Sequence, residues 1–296
     1  MGTAIASLSV PMLFSQLLVG LINGAFYAVM GLGLSLVFGM LRIINFAHGA
    51  QYMLGAVVAY LLLTQLGIGY WGALVIAPAI VGLAAAIIDR LLLRRLAGSD
   101  PLYGLLLTFG LALIAEGSVR HWLGSTGVPY PVPEALQGGT RLRYMFLPTY
   151  RAWVVFVSLL LCLVAWLLIE RTRLGSYLRA ATENPVLVQN FGINVPVMLT
   201  LTYCAGAALA AFAGVLAVPI YGASFSMGSG LLITVFAAIV IGGMDSVLGA
   251  TVAGLALGVI EGLTKVFYPP ASSVVVFVVM ILVLTFRPQG LFGRQD

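Results

Sequence analysis

Apolar residues in this chain fall in blocks of about 20, the length of helix needed to cross roughly 30 Å of hydrocarbon. The blocks lie near 12–39, 46–65, 70–92, 102–123, 151–169, 197–218, 230–243, 247–265 and 272–286. Strands of a membrane barrel are shorter and alternate in polarity. The pattern therefore predicts an all-α integral membrane protein, a polytopic helical bundle of eight or nine crossings. The first block is too long for a straight span and reads as a span running into a broken or re-entrant piece. The block 230–243 is short and reads as re-entrant. Composition agrees: 61% of residues are hydrophobic and 8% charged, against about 25% charged in a soluble domain.

No polar stretch is long enough to fold alone, so residues 1–296 read as one transmembrane domain. The longest polar stretch, Gly124 to Arg151, carries Pro129, Pro131 and Pro133 and reads as an external loop with one short element. Cys162 and Cys204 lie inside apolar blocks and read as small buried hydrophobes, neither disulfide nor metal ligands. Met1 to Val10 has no basic residue, unlike a cleaved signal, so the first block is expected to be retained.

The net charge of +5 comes from arginines and a single lysine, Lys265. They sit at block ends, where they mark membrane–water boundaries and orientation rather than a nucleic-acid surface. Arg90, Arg94 and Arg95, then Arg171, Arg173 and Arg179, then Arg287 and Arg294 form clusters that suit the cytoplasmic side. Arg120, Arg141, Arg143 and Arg151 are then external, in the long loop that also holds Glu134. The C-terminus is expected in the cytoplasm. The N-terminus is outside for nine crossings and inside for eight.

Small residues recur every four positions in Gly20, Gly24 and Ala28, in Gly206, Ala210 and Gly214, and in Ala250, Gly254, Gly258 and Gly262. Such stripes lie on one helix face and let backbones approach closely in lipid. Packing within this chain is the expected use, ahead of a subunit interface. Glu261 with Lys265, and Glu116 with Arg120, have the spacing of ion pairs along a helix. Asp89 beside Arg90 reads as interfacial.

Three stretches could carry function. In Asn45-Phe46-Ala47-His48-Gly49, after Gly39 and Arg42, polar groups lie between two apolar blocks. Asn45 can cap the following helix in a plain turn, or the break can offer polar groups to a solute. The two readings are compatible. In Ile241-Gly242-Gly243-Met244-Asp245-Ser246, glycines again break an apolar run, and Asp245 or Ser246 can cap the next helix. Interrupted segments in both halves suggest a central site, so Asn45, His48, Gly49, Gly242, Gly243 and Asp245 are the candidate pathway residues.

The third stretch, about 171–196, predicts two short helices. Leu174 to Glu183 has helical composition. Asn184-Pro185 then reads as an N-cap and first helical position, Gly192 as a helix end, and Asn194 with Pro196 as the next start. A passive connector needs only a few residues. A structured one suggests a docking surface for a cytoplasmic partner, or an amphipathic element on lipid headgroups. The motifs of phosphate-binding loops, zinc proteases and serine hydrolases are lacking, so no catalytic role and no cofactor are expected.

Several runs together resemble a known family. Leu21-Ile22-Asn23-Gly24-Ala25-Phe26-Tyr27-Ala28 leads into Gly33-Leu34-Ser35-Leu36-Val37-Phe38-Gly39 and Ile44-Asn45-Phe46-Ala47-His48-Gly49. Arg179-Ala180-Ala181-Thr182-Glu183-Asn184, then Gly192-Ile193-Asn194, then Ala238-Ile239-Val240-Ile241-Gly242-Gly243 follow in order. Near the end of the sequence stands Phe286-Arg287-Pro288-Gln289-Gly290-Leu291-Phe292-Gly293. This pattern resembles the branched-chain amino acid ABC transporter permeases of the high-affinity leucine-uptake type. The resemblance implies a multi-pass subunit of the cell inner membrane, pairing with a second, homologous permease. Two cytoplasmic ATPases and a periplasmic binding protein would be its partners, and an amino-acid-like solute its cargo. It also implies that Gly175, Arg179, Ala180, Glu183, Asn184 and Gly192 couple the chain to the ATPases. Position 188 is Val188, where the resemblance suggests a small residue. Related permeases carry urea, short amides or aromatic acids, and a stand-alone secondary transporter is the reading from a different class. It lacks a chain of buried acids for ion coupling.

Overall fold

A computed structural model describes residues 10–41, 44–96, 99–142 and 145–293. Arg42, Arg143, Arg294 and the stretch before Val10 lie outside the described residues. Eleven α-helices are described: α1 Val10–Leu41, α2 Ala47–Leu66, α3 Tyr70–Leu91, α4 Pro101–Leu123, α5 Thr149–Arg171, α6 Arg173–Glu183, α7 Pro185–Asn190, α8 Val195–Tyr221, α9 Met227–Gly242, α10 Val247–Phe267 and α11 Val275–Phe286. Seven of them, α1 to α5, α8 and α10, are long and apolar enough to cross a membrane. At 16 and 12 residues, α9 and α11 are shorter apolar helices. Many large apolar side chains of α4 and α5, such as Leu106, Ile114, Phe156 and Leu163, remain exposed. In water that surface would aggregate, whereas hydrocarbon is a matched solvent for it. This is a multi-pass membrane protein.

The first apolar block differs from expectation. It forms one uninterrupted helix of 32 residues rather than a span and a broken piece. Gly31, Gly33 and Gly39 lie within it without breaking it. Away from water each unpaired backbone group is costly, so the helical hydrogen bonds outweigh glycine's freedom. The loop expected to hold one short element holds a 3₁₀ turn at Glu134–Leu136 and an antiparallel hairpin, β1 Gly139–Leu142 with β2 Met145–Pro148.

The chain divides into two compact units. One takes the chain up to Gly31, Val132–Cys162 and the chain from Thr234 onward. Here the small-residue stripes of α1 and α10 meet. A Cβ on Gly258 would lie 2.3 Å from the Gly24 backbone, and one on Gly20 would lie 2.5 Å from the Gly258 carbonyl oxygen. The close approach lets the Tyr27 hydroxyl donate to Glu261 Oε2 at 2.6 Å, while Lys265 Nζ pairs with Glu261 Oε1 at 2.6 Å. The expected i,i+4 ion pair is present, and the stripes serve packing inside the chain.

In the same unit the chain after α11 turns back onto α9. The amides of Leu291 and Phe292 donate to the carbonyls of Ile241 and Gly242 at 2.8 and 3.0 Å. These are final carbonyls of a helix, which have no partner within it. Gly243 and Gly290 make the turn possible, with φ of 101° and 82°. A Cβ on Gly243 would also lie 2.7 Å from the Gly293 nitrogen. Gly243→Ala is therefore expected to destabilise the protein by about 2 kcal/mol, the cost of a strained left-handed residue. Thermal unfolding in detergent measures this, and an unchanged midpoint would mean that the tail does not hold α9.

The other unit takes Leu32–Pro131 and Leu163–Ile233. Its centre is α8, packed on α2 and α3. A Cβ on Gly214 would lie 2.0 Å from the Tyr52 carbonyl oxygen, and one on Gly55 2.2 Å from that of Ala211. In the loop after α4 Val128 forms a β-bridge with Ala223, and the Tyr130 ring is buried beside it. Burial, with the nearby Tyr70 phenol adding, pushes the Tyr130 hydroxyl pKa up.

Candidate functional site

The stretch after α5 forms the two short helices read from the sequence. Asn184 Oδ1 accepts the Leu187 amide at 3.0 Å and starts α7 with Pro185. Gly192 has φ 83°, and Asn194 Oδ1 accepts the Val197 amide at 3.1 Å to start α8. Each signal is local, so the sequence alone encodes it.

The helices are braced. Gly175, Leu178 and Ala181 are spaced three apart, and all three are buried. At Gly175 an added Cβ would lie 1.6 Å from the Ile169 carbonyl oxygen, so α6 folds hard against the end of α5. Arg179 Nη1 reaches the Ile169 carbonyl and Glu170 Oε2, each at 3.4 Å. Ala181, Val188 and Val195 form a buried cluster that ties α6 and α7 to the start of α8. Val188, larger than the resemblance suggests, thus serves this core. Ala180, Glu183, Asn184 and Gly192 are exposed. So are Val186, Leu187 and Phe191, the last 77% exposed. These apolar side chains were not singled out from the sequence; their signal is three large hydrophobes around an Asn-Pro turn in a polar stretch.

In the same unit, Asn45, His48 and Gly49 gather at the start of α2, and all three are buried. Asn45 Oδ1 accepts the Ala47 amide at 3.1 Å, but Phe46 occupies the N-cap position and makes no side-chain cap bond, so Asn45 acts one residue before the cap it was expected to form. Thr108 Oγ1 on α4 accepts the Phe46 amide at 3.2 Å and fixes this turn. Gln51, also buried, donates from Nε2 to the Tyr203 hydroxyl at 3.2 Å. Among the described residues, Asn45 Nδ2 and Gln51 Oε1 are buried without a hydrogen-bond partner. A Cβ on Gly49 would lie 2.7 Å from the Gly228 carbonyl oxygen, which explains the glycine there. Gln51, Thr108 and Tyr203 extend the sequence-derived set. Their signal is a polar side chain within an apolar block.

Gly242, Gly243 and Asp245 belong to the unit built on α1 and α10. Ser246, not Asp245, caps α10, accepting the Gly249 amide at 3.0 Å; Asp245 is exposed. Asp89, read as interfacial beside Arg90, is 2% exposed and pairs with Arg94 at 3.4 Å, while Arg90 is exposed. The 3₁₀ turn Leu93–Leu96 after α3 carries Arg94 back toward the carboxylate. Glu116 makes no ion pair with Arg120 among the described residues. The Arg120 guanidinium instead stacks 5.3 Å from the Phe225 ring centroid, a competing cation–π partner.

Across this architecture, the family described as "branched-chain amino acid transport system / permease component" matches residues 16–284. The chain belongs to this family. It is 33% identical to the high-affinity branched-chain amino acid transport system permease protein BraD of Pseudomonas aeruginosa, over 95% of this chain and 96% of that protein. It is 32% identical to the corresponding protein LivH of Escherichia coli, again over 95% of this chain and 96% of that one. It is also 28% identical to the permease protein LivM of Escherichia coli, over 90% of this chain and 67% of LivM. No solved structure matches the chain. The family resemblance read from the ordered motifs is thereby established. The matched span reaches from the first turns of α1 to the last of α11, so it includes the braced loop and both interrupted segments.

Proposed function

We propose that this chain is the membrane-spanning permease subunit of an ATP-driven importer of branched-chain amino acids. It works as one permease domain in the cell inner membrane, beside a second, homologous permease. Cytoplasmic ATPases dock on the 171–196 loop, and a periplasmic binding protein delivers the amino acid. The chain performs no chemistry of its own. In this reading Asn45, His48 and Gly49, with Gly242, Gly243 and Asp245, border the pathway. A polar break in an apolar segment supports each group.

The carrying observation is the α6–α7 loop. It is stiffened by Gly175 on Ile169 and by the Ala181–Val188–Val195 cluster, yet it presents Val186, Leu187 and Phe191 outward. A stiff element with an exposed apolar tip can transmit force from a bound partner. Gly175 and Arg179 brace the loop, while Ala180, Glu183, Asn184 and Gly192 face the partner or shape the turn. The family's relatives are described as amino acid permeases, which supports the solute class.

Reconstitution with both permeases, the ATPases and the binding protein tests the reading. ATP-dependent uptake of radiolabelled leucine is expected. Leucine accumulation by this chain alone along an ion gradient would overturn it. Phe191→Ser is expected to weaken ATPase binding at least about tenfold, as removal of an apolar anchor does. Co-purification of the ATPases measures this, and binding at wild-type strength would move the docking surface elsewhere. Glu183→Ala is expected to leave insertion intact and lower uptake per ATP.

A further inference from the structure

Asp89 is a carboxylate buried to 2% exposure at the end of an apolar helix. Burying a charge is costly, and an apolar residue in its place is often no less stable. Its partners therefore matter more than its contribution to stability. The Thr200 hydroxyl donates to Asp89 Oδ2 at 2.5 Å, and Arg94 Nε lies 3.4 Å from the same oxygen. Arg94 Nη2 also donates to the Pro196 carbonyl at 2.5 Å and to the Thr200 hydroxyl. Asp89 and Arg94 thus grip the first turns of α8 at two points. These turns begin where the coupling loop ends.

The contacts on either side are continuous, and all lie in one unit. Toward the loop, Val195 belongs to the buried cluster with Ala181 of α6 and Val188 of α7. Toward the interior, Leu93, next to Arg94, packs in one buried cluster with Tyr203, which lies one turn beyond Thr200. Tyr203 receives the hydrogen bond from Gln51 on α2. Among the described residues, Asn45 Nδ2 and Gln51 Oε1 are buried there without a partner within hydrogen-bond distance. A half-satisfied polar cluster has a second arrangement open to it, because unpaired buried groups gain by re-pairing.

We propose that Asp89, Arg94 and Thr200 are positioning residues that transmit movement of the α6–α7 loop through α8 to Tyr203, Gln51 and the first turn of α2. The proposal rests on the importer reading. The hydrogen bonds of Asp89 to Thr200 and of Arg94 to Pro196 and Thr200 fix α3 and its 3₁₀ turn to α8, so a push on Val195 moves these elements together and shifts Tyr203 against Gln51. Without the grip, α8 would move alone and the polar cluster would stay in its resting arrangement.

The test uses the complex reconstituted from both permeases, the ATPases and the binding protein, with ATP hydrolysis and leucine uptake measured in parallel. Asp89→Asn keeps the shape and removes the charge. The complex is expected to assemble and hydrolyse ATP, while leucine moved per ATP falls about tenfold, the size of a typical coupling energy between sites. Thr200→Val is expected to act in the same direction, and Thr200→Ser, which keeps the hydroxyl, to restore the wild-type ratio. The double variant Asp89→Asn/Thr200→Val is expected to be no worse than the worse single variant, since both break one network. An unchanged ratio in Asp89→Asn and Thr200→Val overturns the proposal and leaves the importer reading standing. Uptake and hydrolysis falling together, in step with lost assembly, also overturns it, because the role is then structural. If Asp89→Asn fails to assemble, the comparison of Thr200→Val with Thr200→Ser decides alone. A wild-type complex that hydrolyses ATP and moves no leucine, isoleucine or valine overturns the importer reading, and the relay with it.

Discussion

Gly175→Ala is expected to abolish most ATP-driven uptake while the chain still inserts. The added methyl carbon would sit 1.6 Å from the Ile169 carbonyl oxygen, and that oxygen is backbone at the end of a long helix. Neither side can yield by rotating a side chain. The start of α6 must lift away from α5, which costs at the upper end of overpacking, about 3 kcal/mol. Arg179 would lose its contacts to Ile169 and Glu170 in the same movement. The loop would then bind its partner but no longer push against a fixed base. Leucine moved per ATP should drop more than about tenfold, a loss of at least one typical coupling energy. Trypsin should also cut faster at Arg173 and Arg179. Normal coupling with normal resistance to trypsin would remove this contact from the mechanism.

Gly258→Leu is expected to be the most damaging change to stability in the unit built on α1 and α10. A Cβ there meets the Gly24 backbone at 2.3 Å and the Gly20 carbonyl oxygen at 2.4 Å. The rest of a leucine has nowhere to go. Helix association in lipid depends on close packing rather than water exclusion, so separating the two helices removes most of what holds them. The Tyr27–Glu261 hydrogen bond would break as well. A loss of about 3 kcal/mol or more is expected, beyond ordinary overpacking because backbone meets backbone. Val252→Leu, at a position 42% exposed on the same helix, is the control and should be neutral. Equal melting temperatures for Gly258→Leu and the wild type would show that the stripe is not a packing seam.

Much of the 171–196 loop could be read from the sequence, because Asn184, Gly192 and Asn194 act through bonds to residues three positions away and Pro185 fixes its own backbone angle at the first helical position. The stripes of α1 and α10 were legible for a similar reason: a period of four puts small residues on one face, whatever faces them. The partner of each stripe was not legible, since nothing local states that Gly258 meets Gly24. Lone charges were read least well. Arg90 and Arg94 are both near Asp89 in sequence, and only the 3₁₀ turn at Leu93–Leu96 selects Arg94. Arg120 has the right spacing to Glu116, but Phe225, far away in the chain, takes it instead.

The sequence by itself determined membrane insertion, the helical class, the family and the two-helix loop, because block length, hydrogen-bond capping and motif order are properties of contiguous residues. The tertiary structure alone decided that the first block is unbroken, that Val188 is core while Phe191 is exposed, and that Asp89 is held by α8. Those outcomes depend on which helices approach one another. In lipid that is settled by small differences in packing and by the few polar groups that must find partners away from water.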